Sequence, residues 1–135
     1  MRALRACRPT AAVLASAVAL AGCGGDDRPR ATPEDGVRAA ARAYLGALAA
    51  RDWPGACRLM TAAARQDLAG AAGTSCARAL ASGGAMAAEK VASAEREVAG
   101  AEVSIRGQSA TVGPLAGTQQ SLRLRRVGGR WLVTS

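Results

Sequence analysis

The chain has 135 residues, half of them hydrophobic and only 2% aromatic, with no phenylalanine and no histidine, and its 18 basic residues outnumber 10 acidic ones for a net charge of +8. Without histidine there is no imidazole for acid-base chemistry near neutral pH, for a serine or cysteine triad, or for the usual zinc sets. The length suits one small domain with one modest core, and excludes two.

Arg2, Arg5 and Arg8 open the chain, an apolar core runs from Ala11 to Leu20, and the small residues Ala21 and Gly22 precede Cys23. That is the order of zones in an export signal. The apolar core is about half the roughly 20 residues that a bilayer-crossing helix needs, so residues 1–22 read as a signal peptide and not as a permanent span. Leu20-Ala21-Gly22-Cys23 resembles the bacterial lipobox in all four positions. The resemblance implies that the Cys23 thiol is alkylated with diacylglycerol and that the chain is cut between Gly22 and Cys23. Sulfur is the nucleophile that this chemistry requires. Two acyl chains give stable anchoring where one gives only reversible binding, so the implied location is the extracytoplasmic face of the cell membrane, held by lipid. Residues 23–33 continue as GGDDRPRATP after the cysteine, with no apolar periodicity, and suit a flexible solvated tether.

Removing 22 residues from 135 leaves 113, and it takes three basic and no acidic residues, so the remainder carries 15 basic against 10 acidic side chains, or +5. Outside the cytoplasm nucleic acid is a poor explanation for this charge, and no nucleic-acid partner is expected. Anionic headgroups or wall polymers lie closer at hand, while the plain reading of scattered arginines is solubility. Cys7 leaves with the signal and Cys23 is consumed by lipid, so Cys57 and Cys76 remain as an even pair in an oxidising compartment and are expected to form a disulfide. Two sulfurs without histidine make a poor metal site, and the spacing is not Cys-x-x-Cys, so neither a metal, another cofactor nor a redox role is expected.

Thr32, Pro33, Glu34 and Asp35 predict a helix start: a capping hydroxyl, proline in the first turn, and acids at the positive end of the dipole. Val37, Ala41, Tyr44, Leu45 and Leu48 then form an apolar face over residues 34–50, with Arg38 and Arg42 off it. Asp52 caps a second segment, with Pro54 in its first turn and with Trp53, Cys57 and Leu59 or Met60 turned inward. Thr61 caps a third helix ending near Leu68, before a turn in GAAGTS, and Ser75 caps a fourth that carries Cys76 and Leu80 and stops at Gly83-Gly84. Residues 85–95 are helix-permissive. From Val98 onward the period changes to that of strands, through Ala101, Val103 and Ile105, then Ala110 to Val112, with RGQS and GPLAG as turns. Leu122 and Leu124 alternate with Arg123 and Arg125, Val127 falls out of register and suggests a bulge near Arg126, and Gly128-Gly129 turns the chain into a last strand, Trp131 to Thr134. Helices followed by an antiparallel meander make the domain α+β.

The segments PEDGVRAAARAYLGALAARD and WPGACRLM, the second cysteine, and the closing LRLRRVGGRWLV together resemble small exported bacterial lipoproteins, of actinobacterial type, with a nuclear transport factor 2-like domain. The likeness covers residues 34–135. It implies helices packed across a curved antiparallel sheet in a cone with a pocket at its open end, and a Cys57–Cys76 bond tying the second helical segment to the third. The chain departs from larger members in having about four strands and no phenylalanine, so the pocket is expected to be small or absent. Tyr44, Trp53 and Trp131 are the candidate pocket residues; the alternative makes Tyr44 a core residue with its hydroxyl at the rim and the two tryptophans the largest core pieces.

Enzymes that share this fold put an acid or base and hydrogen-bond donors inside the cone. Here Glu89, Glu95, Glu97 and Glu102 fall in or before the first strand, where they are expected to face water, and no aspartate follows Asp67. No catalytic residue is therefore nominated. The expected function is a non-catalytic, membrane-anchored binding or interaction module of the cell envelope, with a small ligand or an envelope protein as partner. A cyclase or isomerase with a cavity at Tyr44, marked by a buried Asp67 or Glu102, and a plain spacer domain are the alternatives.

Overall fold

The computed structural model describes residues 30–83, 88–115 and 120–135. The expected signal peptide, the cleavage and lipidation positions Gly22 and Cys23, and the tether as far as residue 29 lie outside the described residues. Within them are five helices, α1 (Pro33–Ala49), α2 (Trp53–Arg58), α3 (Ala62–Ala72), α4 (Cys76–Ser82) and α5 (Ala88–Glu97), then four strands, β1 (Val103–Arg106), β2 (Ser109–Leu115), β3 (Gln120–Val127) and β4 (Arg130–Val133). The strands pair antiparallel in the order β1-β2-β3-β4, an open sheet on which the helices pack, so the domain is α+β.

The helix starts follow the local chemistry. Thr32 forms a full capping box: its Oγ1 accepts from the Asp35 amide at 3.2 Å, while the Asp35 carboxylate accepts from the Thr32 amide at 2.7 Å. Asp52 accepts from the Gly55 amide, Thr61 from Ala64, and Ser75 from Arg78. Pro33, the last residue of the expected tether, already belongs to α1, which starts one residue before the expected position 34. Val37, Ala41, Tyr44 and Leu45 are the buried stripe of α1, and this helix touches all four strands as well as α5 and α2. Around it the core is built of small pieces: Ala41, Ala56, Ala64, Ala94 and Ala110 among Val37, Val91, Val98, Val112 and Leu124.

Gly128 and Gly129, at φ of 56° and 79°, form the tight β3–β4 turn, since two successive left-handed residues match the twist of the strands they join. The far edge of β4 is also covered. The Thr61 amide donates to the Val133 carbonyl and the Val133 amide to the Leu59 carbonyl, both at 2.8 Å, with Met60 and Val133 in a parallel bridge. The segment between α2 and α3 thus satisfies the outward backbone groups of Val133 at the end of this edge.

Several expectations are corrected. The third helix passes Leu68 and ends only at Ala72, because Gly70 is tolerated and the left-handed Gly73, φ 61°, closes it. No bulge occurs near Arg126: β3 pairs with β4 without a break from Leu124 to Val127, and Val127 is simply solvent-facing, 48% exposed. The irregularity lies on β2 between Val112 and Leu115, where Gly113-Pro114, joined by a cis bond, belongs to the strand and not to a turn. Val98 precedes the sheet and is fully buried in the turn after α5. Arg38 lies off the buried stripe of α1, as expected. It is half-buried, its Nη2 donates to the Ala101 carbonyl at 3.3 Å, and its buried Nε has no partner among the described residues.

Candidate functional site

Tyr44 and Leu45 on α1 face Ala94 on α5 and the inner ends of β2 and β3, and between them lies a cleft of about 170 Å³. Leu48, Leu115, Gln120, Ser121 and Leu122 complete its described wall. This volume is below the roughly 300–1,000 Å³ of typical small-ligand sites. Tyr44 is 9% exposed, and burial raises the pKa of its phenol above the ordinary tyrosine value. A neutral phenol in such a setting offers one donor and one acceptor to whatever enters.

The other candidate pocket residues are elsewhere. Trp131 on β4 packs over Gly36 at the start of α1, and Trp53 stands half-buried at the start of α2; neither lines the Tyr44 cleft. Nor are they the largest core pieces, since the largest fully buried side chains are Leu124, Val37, Val98 and Val112. The reason is geometric for Trp131: it meets α1 at Gly36, which at 1.5 Å per residue is about 12 Å along the helix axis from Tyr44. The carboxylates that an isomerase would need are also remote. Asp67 and Glu102 are exposed, and Asp67 accepts from the Ser135 hydroxyl at 3.4 Å. Glu89 is exposed too, while Glu95 and Glu97 are half-buried. Glu95 lies opposite Gly46 of α1, and Glu97 accepts from the Ser93 hydroxyl at 3.1 Å.

Cys57 and Cys76 stand at disulfide distance, their sulfurs 2.04 Å apart. The bond runs from α2 to α4, not to the third helical segment, because Ala62–Ala72 forms a complete helix between them. Among the described residues no group of three or more His, Cys, Asp or Glu side chains could hold a metal ion, and no helix is long and apolar enough to cross a membrane.

Two larger grooves were not apparent from the sequence. One of about 480 Å³ runs between the start of α3 and the β3–β4 hairpin, past Gln108, Arg125 and Arg126. The other, about 550 Å³, is walled by Ala43 and Ala47 of α1, by Asp52, Gly55, Arg58 and Leu59 of the α2 region, and by Arg65 and Arg130. The outer face of the sheet is basic as well: the register puts Arg106, Arg123 and Arg125 on one side with Ser109 and Thr111. Alternation puts Arg123 and Arg125 on a wet face, but the register is needed to add Arg106, and nothing in the sequence relates Arg58 and Arg65 to Arg130. No family model matches the chain, and no curated protein or solved structure matches it significantly.

Proposed function

We propose that this chain is a membrane-anchored, extracytoplasmic lipoprotein whose domain, nuclear transport factor 2-like in arrangement, serves as a non-catalytic binding or interaction module of the cell envelope. The observation that carries the reading is Leu20-Ala21-Gly22-Cys23 at the end of a short apolar core headed by three arginines. Diacylglycerol on Cys23 and a tether of about ten residues would hold the domain at the membrane surface.

Other features support it. A Cys57–Cys76 bond belongs in an oxidising compartment. Helices that precede an antiparallel meander, with α1 across every strand, support the fold resemblance. The small, mainly apolar cleft at Tyr44 has no carboxylate in its described wall, which favours binding over acid-base chemistry.

The test is the intact mass of the protein isolated from its host. The expected product begins at Cys23 and carries fatty acyl groups, and Cys23→Ala accumulates as an unprocessed chain. A mature product that begins at Met1, or one without lipid, overturns the reading.

A further inference from the structure

The 550 Å³ groove gathers three arginines from three elements: Arg58 at the end of α2, Arg65 in the first turn of α3 and Arg130 at the first position of β4. Arg65 is half-buried and the other two are exposed. Among the described residues, none of the three guanidinium groups donates to a protein acceptor or pairs with a carboxylate. The one carboxylate in the wall, Asp52, is turned to the Gly55 amide at 2.9 Å. Three cations thus face a common space with one already engaged anion, and no other carboxylate stands in its described wall.

We infer that this groove is a binding site for a small phosphate-bearing anion, held by Arg58, Arg65 and Arg130, with Ala43, Ala47 and Leu59 as the wall for its carbon portion. A guanidinium presents a planar fork of donors that matches two oxygens at once. A single planar carboxylate fills one such fork, whereas a tetrahedral phosphate offers oxygens in several directions and so engages forks that approach from different elements. The groove volume lies within the range of small-ligand sites. A phosphomonoester solute and a phosphodiester lipid headgroup share this chemistry.

Calorimetric titration of the full chain in neutral detergent tests the site with three probes: glycerol 3-phosphate, dihexanoyl-phosphatidylglycerol and zwitterionic dihexanoyl-phosphatidylcholine. Saturable single-site binding of at least one of the first two is expected, weakened about ten-fold or more by the double variant Arg65→Gln/Arg130→Gln, as expected for lost charged hydrogen bonds. The double variant Arg106→Gln/Arg123→Gln removes the same charge from the outer sheet face and should stay within about two-fold of the parent. Arg65→Lys keeps the charge but not the fork, and should weaken binding while leaving the circular dichroism unchanged. Tighter binding of the phosphatidylglycerol identifies a headgroup site; tighter binding of glycerol 3-phosphate identifies a solute site. Equal loss in both double variants, equal binding of the zwitterionic lipid, or no saturable binding overturns the inference. These titrations read the same whether or not Cys23 bears lipid, so their failure is separate from failure of the anchor.

Discussion

Trp131 lies across Gly36: its indole Cδ1 is 3.6 Å from the point that a β-carbon on Gly36 would occupy. That distance is ordinary van der Waals contact, so a methyl group fits and anything larger must displace the ring. Gly36→Ala should therefore stabilise the domain by about 0.5–1 kcal/mol, the usual gain in a helix interior. Gly36→Leu should destabilise it and red-shift the tryptophan emission as the ring moves toward water. A fall in melting temperature for the alanine variant would show that the indole has no room to give.

Asp52 and Gly55 form the opposite case. The Asp52 carboxylate caps α2 by lying over Gly55, and a methyl group there would run into it. Asp52→Ala should cost about 1 kcal/mol. Gly55→Ala should destabilise the parent but stabilise the Asp52→Ala background, because the obstacle is gone and only the helix propensity remains. The same sign in both backgrounds, by urea denaturation, would refute the relationship.

The Cys57–Cys76 link closes a loop with a sequence separation of 19. In the chain-entropy account a loop of this size contributes about 3 kcal/mol, a large share of what a small domain has. Cys57→Ala/Cys76→Ala should lower stability by about that amount, and a reducing agent should reproduce the loss in the parent and have no effect on the variant. A loss below about 1 kcal/mol would mean that α2 and α4 are held together mainly by packing.

Tyr44 is the single tyrosine, so its ionisation can be followed optically. Burial raises its folded pKa above the unfolded value. The stability tied to the neutral phenol is therefore fully present below the ordinary tyrosine value and declines as pH rises through it toward the folded pKa. The phenolate signal should appear at higher alkalinity in the native protein than in urea, and Tyr44→Phe should remove this part of the alkaline instability. Coincident titrations would contradict the burial.

Asp35 gives the acid counterpart. The Thr32 amide and hydroxyl, with help from Arg38, hold its carboxyl below the usual aspartate value. Its contribution is present above the unfolded pKa and is lost as pH falls through the folded one. Asp35→Asn should lower stability at neutral pH, where the carboxylate contributes, and make little difference in strong acid, where Asp35 is itself protonated, so that the acid limb flattens. An unchanged acid limb would mean that the capping box is frayed in solution.

Much of the local structure was legible because its causes lie within four residues. Thr32, Asp52, Thr61 and Ser75 announce their helices through a side chain that reaches an amide three positions on. Gly128-Gly129 announces the hairpin because few other pairs adopt two positive φ angles. Local patterns mislead where they compete: Gly70 carries the mark of a helix end but is tolerated inside α3, and Val127 breaks the alternation although an exposed strand end needs no buried partner.

Periodicity alone determined that α1 has one apolar face and that the later strands alternate. Only the tertiary structure decided that Trp131 meets Gly36, that Leu59 and Thr61 close the edge of β4 at Val133, and that Arg58, Arg65 and Arg130 share a groove. The reason is one of range. Caps and turns are set by bonds between near neighbours, whereas these meetings join residues some 65 to 95 positions apart, whose approach depends on how the helices settle on the sheet.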